Sequence, residues 1–219
     1  FFKQKTAYEV MPSLVGSEMC IRDRVILDAK MNDVGHTARA YARAAFQTWQ
    51  ADAVTVNPYL GKDSIAPFLE HPDRAVFILA RTSNPSSADI QDLRVLLPEG
   101  QQPPGRGQLD EYVAFLAQEW DQQGEGCCGL VVGATQERML RRLREIAPRL
   151  PFLVPGVGAQ GGVLEAAVEF GPTAEEVGPI INASRSIIYA SSGEDFATAA
   201  RAAAENLRQR INHLLKSVR

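Results

Sequence analysis

From residue 25 onward the chain repeats one unit: a short apolar run, a polar turn, then a stretch at helical period. The apolar runs are VILDAK (25–30), AVTVNPY (53–59), AVFILAR (75–81), CGLVVGA (128–134), FLVPGVG (152–158) and GPIINAS (178–184). The helical stretches are 37–50, 64–69, 107–123, 135–147 with Thr135 as N-cap, 162–170 and a long Ala-rich segment from 195 to 216. Strands that are apolar without alternation are buried on both faces, which is the signature of a parallel sheet. Strand–helix repetition in one sheet gives a doubly wound fold or a closed barrel. A (β/α)8 barrel has eight units in about 250 residues, so six units in 25–219 predict an α/β chain built as an incomplete (β/α)8 barrel. The polar stretch 82–107 is expected to be a loop with a small strand at Val95–Leu97, and no linker divides 25–219 into domains.

Composition narrows the classes. With 45% hydrophobic and 22% charged residues in 219, the chain has enough apolar material for a core and is not a disordered one. Its net charge of −3 argues against a nucleic-acid binder that relies on bulk electrostatics. No run of about 18 apolar residues is present to span a membrane. Cys20, Cys127 and Cys128 are too few for a disulfide framework, which favours a reducing, cytoplasmic setting. Cys127 and Cys128 read as core, and Arg138, Arg141, Arg142 and Arg144 as a solvated basic helix face. Residues 1–24 show neither helical period nor alternation, and lack the apolar stretch of a signal peptide. They resemble a translated sequencing adaptor. The expectation is therefore a non-native segment 1–24 and a partial barrel domain 25–219.

Polar residues gather where the strands end, the face on which such barrels keep their active sites. Asp28 and Lys30 share one side of the first strand, with Asp33 and Thr37 following. An ammonium placed beside carboxylates can serve as a positioned acid toward a developing carbanion, or can be a plain strand-end ion pair. Gly156–Gly162 matches G-x-G-x-x-G after a strand and before a helix. In the second-last unit, with no acid ending the next strand, it suits a phosphate better than a dinucleotide. Gln160 and Arg185 would then sit on the two loops that bind phosphate in barrels; the alternative for Arg185 is a salt bridge to the last helix. Ser83 and Asn84 could read an amide-bearing ring or form an Asx turn before Pro85. Asn57–Gly61 could shape the pocket or simply turn. His36, His71 and His213 lack metal-ligand spacing, so no metal site is expected.

The run VILDAKMNDVGHTA (25–38), with D-x-K-x-x-D and a Thr four residues on, resembles the signature of the orotidine 5′-phosphate decarboxylases. RTSNP (81–85), PGVGAQGG (155–162) and INASRSIIYAS (181–191) resemble the longer bacterial subgroup of that family. The resemblance implies a TIM-barrel homodimer that converts orotidine 5′-monophosphate to UMP and CO2 in pyrimidine biosynthesis without a cofactor. It implies that Lys30 donates the proton to C6 and that Asp28 lies beside the substrate carboxylate. Asp33 and Thr37 would reach the neighbouring subunit's site, Ser83 the pyrimidine amide, and Gln160 and Arg185 the phosphate, with Gly158 and Gly161 in the same loop.

Two departures stand out. The family has a further Lys at the end of the second barrel strand, where segment 1–24 stands here, and Met31–Asn32 replaces the usual Arg-Gly. The chain as written is therefore expected to be poorly stable and weakly active or inactive. The alternatives are a metal-dependent sugar-phosphate decarboxylase of the same superfamily, or a catalytically incompetent nucleotide-binding fragment.

Overall fold

The structure, a computed structural model, describes residues 24–97, 107–124, 127–134, 137–157 and 163–218. Six strands, β1 (Ile26–Met31), β2 (Ala53–Val56), β3 (Ala75–Arg81), β4 (Cys127–Val132), β5 (Phe152–Val154) and β6 (Ile180–Ile181), form one sheet in sequence order. Every neighbouring pair is parallel. The helices are α1 (Gly35–Arg43, continued by a π turn over Ala44–Thr48), α2 (Lys62–Leu69), α3 (Ala88–Gln91), α4 (Leu109–Gln123), α5 (Glu137–Ile146), α6 (Leu164–Phe170), α7 (Arg185–Ile188) and α8 (Phe196–Val218). Among the described residues β1 and β6 are the sheet's two edges. The strand expected at Val95–Leu97 does not form; Arg94 and Gln108 make one isolated bridge there, and the short helix α3 occupies part of the expected loop.

The registers explain both layers of the core. Leu27, Val54, Val76, Cys128, Leu130, Phe152 and Val154 face the helices and pack with Ala38, Phe68, Ala117, Leu140 and Leu164. The alternate residues Ala53, Phe77, Val131 and Leu153, with Ile26 and Leu79, fill the concave side as a separate cluster. Both faces of the strands are thus apolar, as their unbroken runs require. Gly129 is glycine for a steric reason. A Cβ there would stand 2.5 Å from the Phe77 ring, which lies across it inside the curl. Burying a Leu such as Leu130 or Leu143, both 0% exposed, contributes about 2–5 kcal/mol each by the usual cost of truncation to Ala.

The opposite rim, at the strands' N-terminal ends, is held by charge. Asp52 accepts the Val25 N–H at 2.8 Å and pairs with Arg24 and Arg74. The Val25 N–H, then the two guanidiniums, keep its carboxyl below the usual carboxylate value against the opposing effect of burial. Arg144 is not on a solvated face. It stacks 3.6 Å over the Phe152 ring and donates to the carbonyls of Ala147, Leu150, Phe170 and Gly171. Burial lowers its pKa to about 10. Cys128 is core, but Cys127, the first residue of β4, is exposed.

Candidate active site

Asp28 and Lys30 would lie about 6.6 Å apart along a regular strand. Here Lys30 Nζ donates to Asp28 Oδ1 at 2.6 Å. The long Lys side chain spans that Cα spacing, and β1 is also bulged there. Leu27 pairs with Val54 and Met31 with Val56, so Asp28, Ala29 and Lys30 together oppose Thr55 alone. Lys30 takes φ 48°, a left-handed conformation that costs a side-chain-bearing residue about 1–3 kcal/mol. Thr55 holds the distortion. Its hydroxyl accepts the Lys30 N–H at 2.9 Å and donates to Asp28 Oδ1 at 2.9 Å. Thr55 is 0% exposed, whereas the side chains of Asp28 and Lys30 are about half open to solvent. A buried hydroxyl therefore presents an exposed ion pair toward the concave side.

That side contains a cavity of about 420 Å³. Asp28, Lys30, Thr82, Ser83, Asn84 and Asn182 supply its polar wall, and Ile26, Val131, Leu153 and Ile180 its apolar floor. A flat apolar ligand with a few polar edges fits such a mixed lining. Ser83 is seated closely: a Cβ on Gly133, beyond β4, would stand 2.9 Å from its backbone nitrogen. On the β6 side, Ser184 Oγ donates to Asn182 Oδ1 at 3.3 Å, and Arg185, exposed, opens α7 without an ion pair among the described residues.

Of the residues singled out from sequence, Asp28, Lys30 and Ser83 line one cavity. Asp33 and Thr37 do not line it. Asp33 Oδ1 accepts the Val34 N–H at 2.7 Å, and Thr37 lies half-buried in the first turn of α1. Arg185 stands just past β6 and is not a lining residue. Gly158, Gln160 and Gly161 lie outside the described residues. Thr55 was missed, because in AVTV it reads as one more β-branched residue. Its only signal was position, an inward-facing polar residue in register beside the D-x-K pair. Asn182 was passed over as an ordinary strand end.

Comparison with known proteins places the chain in a family. A sequence profile described as the Orotidine 5'-phosphate decarboxylase / HUMPS family matches residues 17–203. A protein named orotidine 5′-phosphate decarboxylase from an Azoarcus species is 51% identical over 189 residues, covering 86% of this chain and 66% of its own length. One of the same name from Cellvibrio japonicus is 51% identical over 190 residues, covering 86% and 65%. The chain thus spans just under two thirds of the length of these curated relatives. Among solved structures, Leishmania donovani OMP decarboxylase superposes with a TM-score of 0.73 at 42% identity, over 88% of this chain and 68% of that one. Leishmania donovani UMP synthase gives 0.70 at 44%, over 84% and 39%.

Proposed function

On the premise that the chain belongs to the orotidine 5′-phosphate decarboxylase / HUMPS family, we propose that its site decarboxylates orotidine 5′-monophosphate to UMP and CO2. The observation that carries the reading is the Asp28–Lys30 pair, fixed by Thr55 at the edge of an open cavity. In the reaction the bond between C6 and the carboxylate carbon breaks and CO2 leaves. The electron pair stays on C6, which has poor delocalisation, and the Lys30 ammonium delivers a proton there; solvent then reprotonates Lys30. An ammonium fixed before the charge develops stabilises the transition state more than the ground state. Asp28 holds Lys30 and lies beside the departing carboxylate. No metal or organic cofactor takes part.

Ser83 reads the pyrimidine amide. Gln160 and Arg185, with the backbone of Gly158 and Gly161, hold the 5′-phosphate. Binding energy from that remote group offsets the cost of placing the carboxylate near Asp28. Asp33 and Thr37, on the loop and first helical turn after β1, would serve a neighbouring subunit's site in a homodimer. The enzyme would act in the cytoplasm; no helix among the described residues is long and apolar enough to cross a membrane. The test is incubation of the chain with orotidine 5′-monophosphate, following UMP formation chromatographically. Slow but protein-dependent UMP formation, insensitive to EDTA, is expected. A folded chain that forms no UMP, or one active on a pentulose phosphate only until EDTA is added, overturns the reading.

A further inference from the structure

Arg81 is 1% exposed, among the largest fully buried side chains of the molecule. By strand alternation it should follow Phe77 and Leu79 onto the concave side. It does not, because β3 carries its own irregularity: Leu79 pairs with Val131 but Arg81 pairs with Val132, whose side chain packs on the helix side. The extra residue, Ala80, turns Arg81 outward. There its guanidinium Nη1 binds the carboxylates of Asp92, just past α3, and Asp110, in the first turn of α4 at 3.3 Å. Asp110 is 0% exposed and also accepts the Glu111 N–H at 2.8 Å. Burial raises the Asp110 pKa to about 6, against the pull of Arg81, while the neighbouring charges of Glu111 and Asp92 push the same way as burial. Glu111 in turn binds Arg142 of α5 at 3.1 Å.

The next three residues are Thr82, Ser83 and Asn84, the cavity wall from β3. They are tied to Gln91, the residue before Asp92 in sequence, rather than to the Arg81 carboxylates themselves. The Gln91 side-chain carbonyl accepts the Thr82 N–H at 2.9 Å, and its amide donates to Thr82 Oγ1 at 2.8 Å. Thr82 Oγ1 donates to Asn84 Oδ1 at 2.6 Å. On the far side Gly133 N–H donates to the Arg81 carbonyl at 2.8 Å, and its bare Cα lets Ser83 close down. Ser83 therefore stands between a charged latch and a glycine floor. The two sets of bonds meet through the chain: Arg81 precedes Thr82, and Gln91 precedes Asp92, so both ends of the turn are anchored on the same short segment at the end of α3.

We propose that Arg81, through Asp92 and Asp110, and Gln91 beside them, are positioning residues that set Ser83 and Asn84 for recognition of the pyrimidine edge. The inference rests on the proposed nucleotide site and adds to it the groups that fix its base specificity. Removing a latch member frees the turn but leaves the phosphate-binding side of the site alone. Base-dependent affinity then falls, and base-independent affinity holds.

The test measures calorimetric affinity of the whole chain for UMP and for ribose 5-phosphate, which lacks the base, in Asp92→Ala and Gln91→Ala. Both positions are partly exposed, so neither change opens the core, and Gln91→Ala leaves every charge in place. Losing one held hydrogen bond to the base predicts about tenfold weaker UMP binding, ribose 5-phosphate within about twofold, and faster amide exchange at 82–84. Unchanged UMP affinity in both folded variants overturns the proposal. So does an equal loss for the two ligands, which marks general loosening. A parent chain that binds neither ligand overturns the functional reading itself, and this inference with it.

Discussion

Replacing Thr55 with Val changes one atom group and tests how the ion pair is held. Valine keeps the β-branched shape, so the buried site is refilled. Two hydrogen bonds disappear: the one accepted from Lys30 N–H and the one donated to Asp28, both 2.9 Å. A bond to a charged group contributes about 1.5–3 kcal/mol and a neutral one about 1. Asp28 and Lys30 are half exposed, so water replaces much of both, and the net stability loss should be about 1 kcal/mol. That is about 2–4 °C in Tm for a chain of this length. The effect on chemistry should be larger. Without Thr55 the left-handed Lys30 backbone loses its side-chain tie to β2, and misplacing a reacting group by about 1 Å costs up to about a hundredfold in rate. UMP formation should therefore fall about 10–100-fold in Thr55→Val, with Thr55→Ser close to the parent. If Val turns over like the parent, or Ser loses as much as Val, the hydroxyl does not hold the pair and the reasoning fails.

Other outcomes follow from the same geometry. Asp110, with its folded pKa raised to about 6, binds more protons folded than unfolded between the ordinary carboxylate value and that point. It therefore subtracts stability as pH rises through this window, and urea melts of Asp110→Asn should match the parent near pH 4 and gain on it toward pH 7. Arg144→Met strips four carbonyls of their donor and should lower stability by about 2–3 kcal/mol, or about 4–12 °C by thermal melt, where a solvated arginine would give no change. Gly129→Ala drives a methyl into the Phe77 ring and the Pro151 carbonyl and should cost about 1–3 kcal/mol in a denaturant melt; Phe77→Leu in the same chain should restore only part of it, because the backbone contact remains.

The strand runs were readable because burial on both faces leaves unbroken apolar segments, and all six strands lie in or within a residue of them. The expectation of a strand at Val95–Leu97 failed, because three apolar residues say nothing of a partner; among the described residues the Val95 N–H donates to the Gly107 carbonyl and no ladder forms. Asp28, Lys30 and Ser83 were legible as strand-end polar residues and do share a cavity. The left-handed Lys30 backbone and its tie to Thr55 were not legible, since a bulge depends on the opposing strand's register. Nor was the Arg81 latch: Arg81 and Asp110 are 29 residues apart, and simple alternation aims Arg81 at the wrong face. The arginines of α5 illustrate the same limit. Helical period marked them as one polar face, but Arg144 lies against Phe152 and Arg142 against a buried Glu111. Which end of a helix meets the sheet floor is a tertiary fact.

The most direct test of the central claim is Lys30→Ala, assayed for both UMP formation and UMP binding. If Lys30 is the proton donor, turnover should vanish while UMP still binds within a few fold of the parent. A folded Lys30→Ala chain that converts orotidine 5′-monophosphate as fast as the parent would contradict the account.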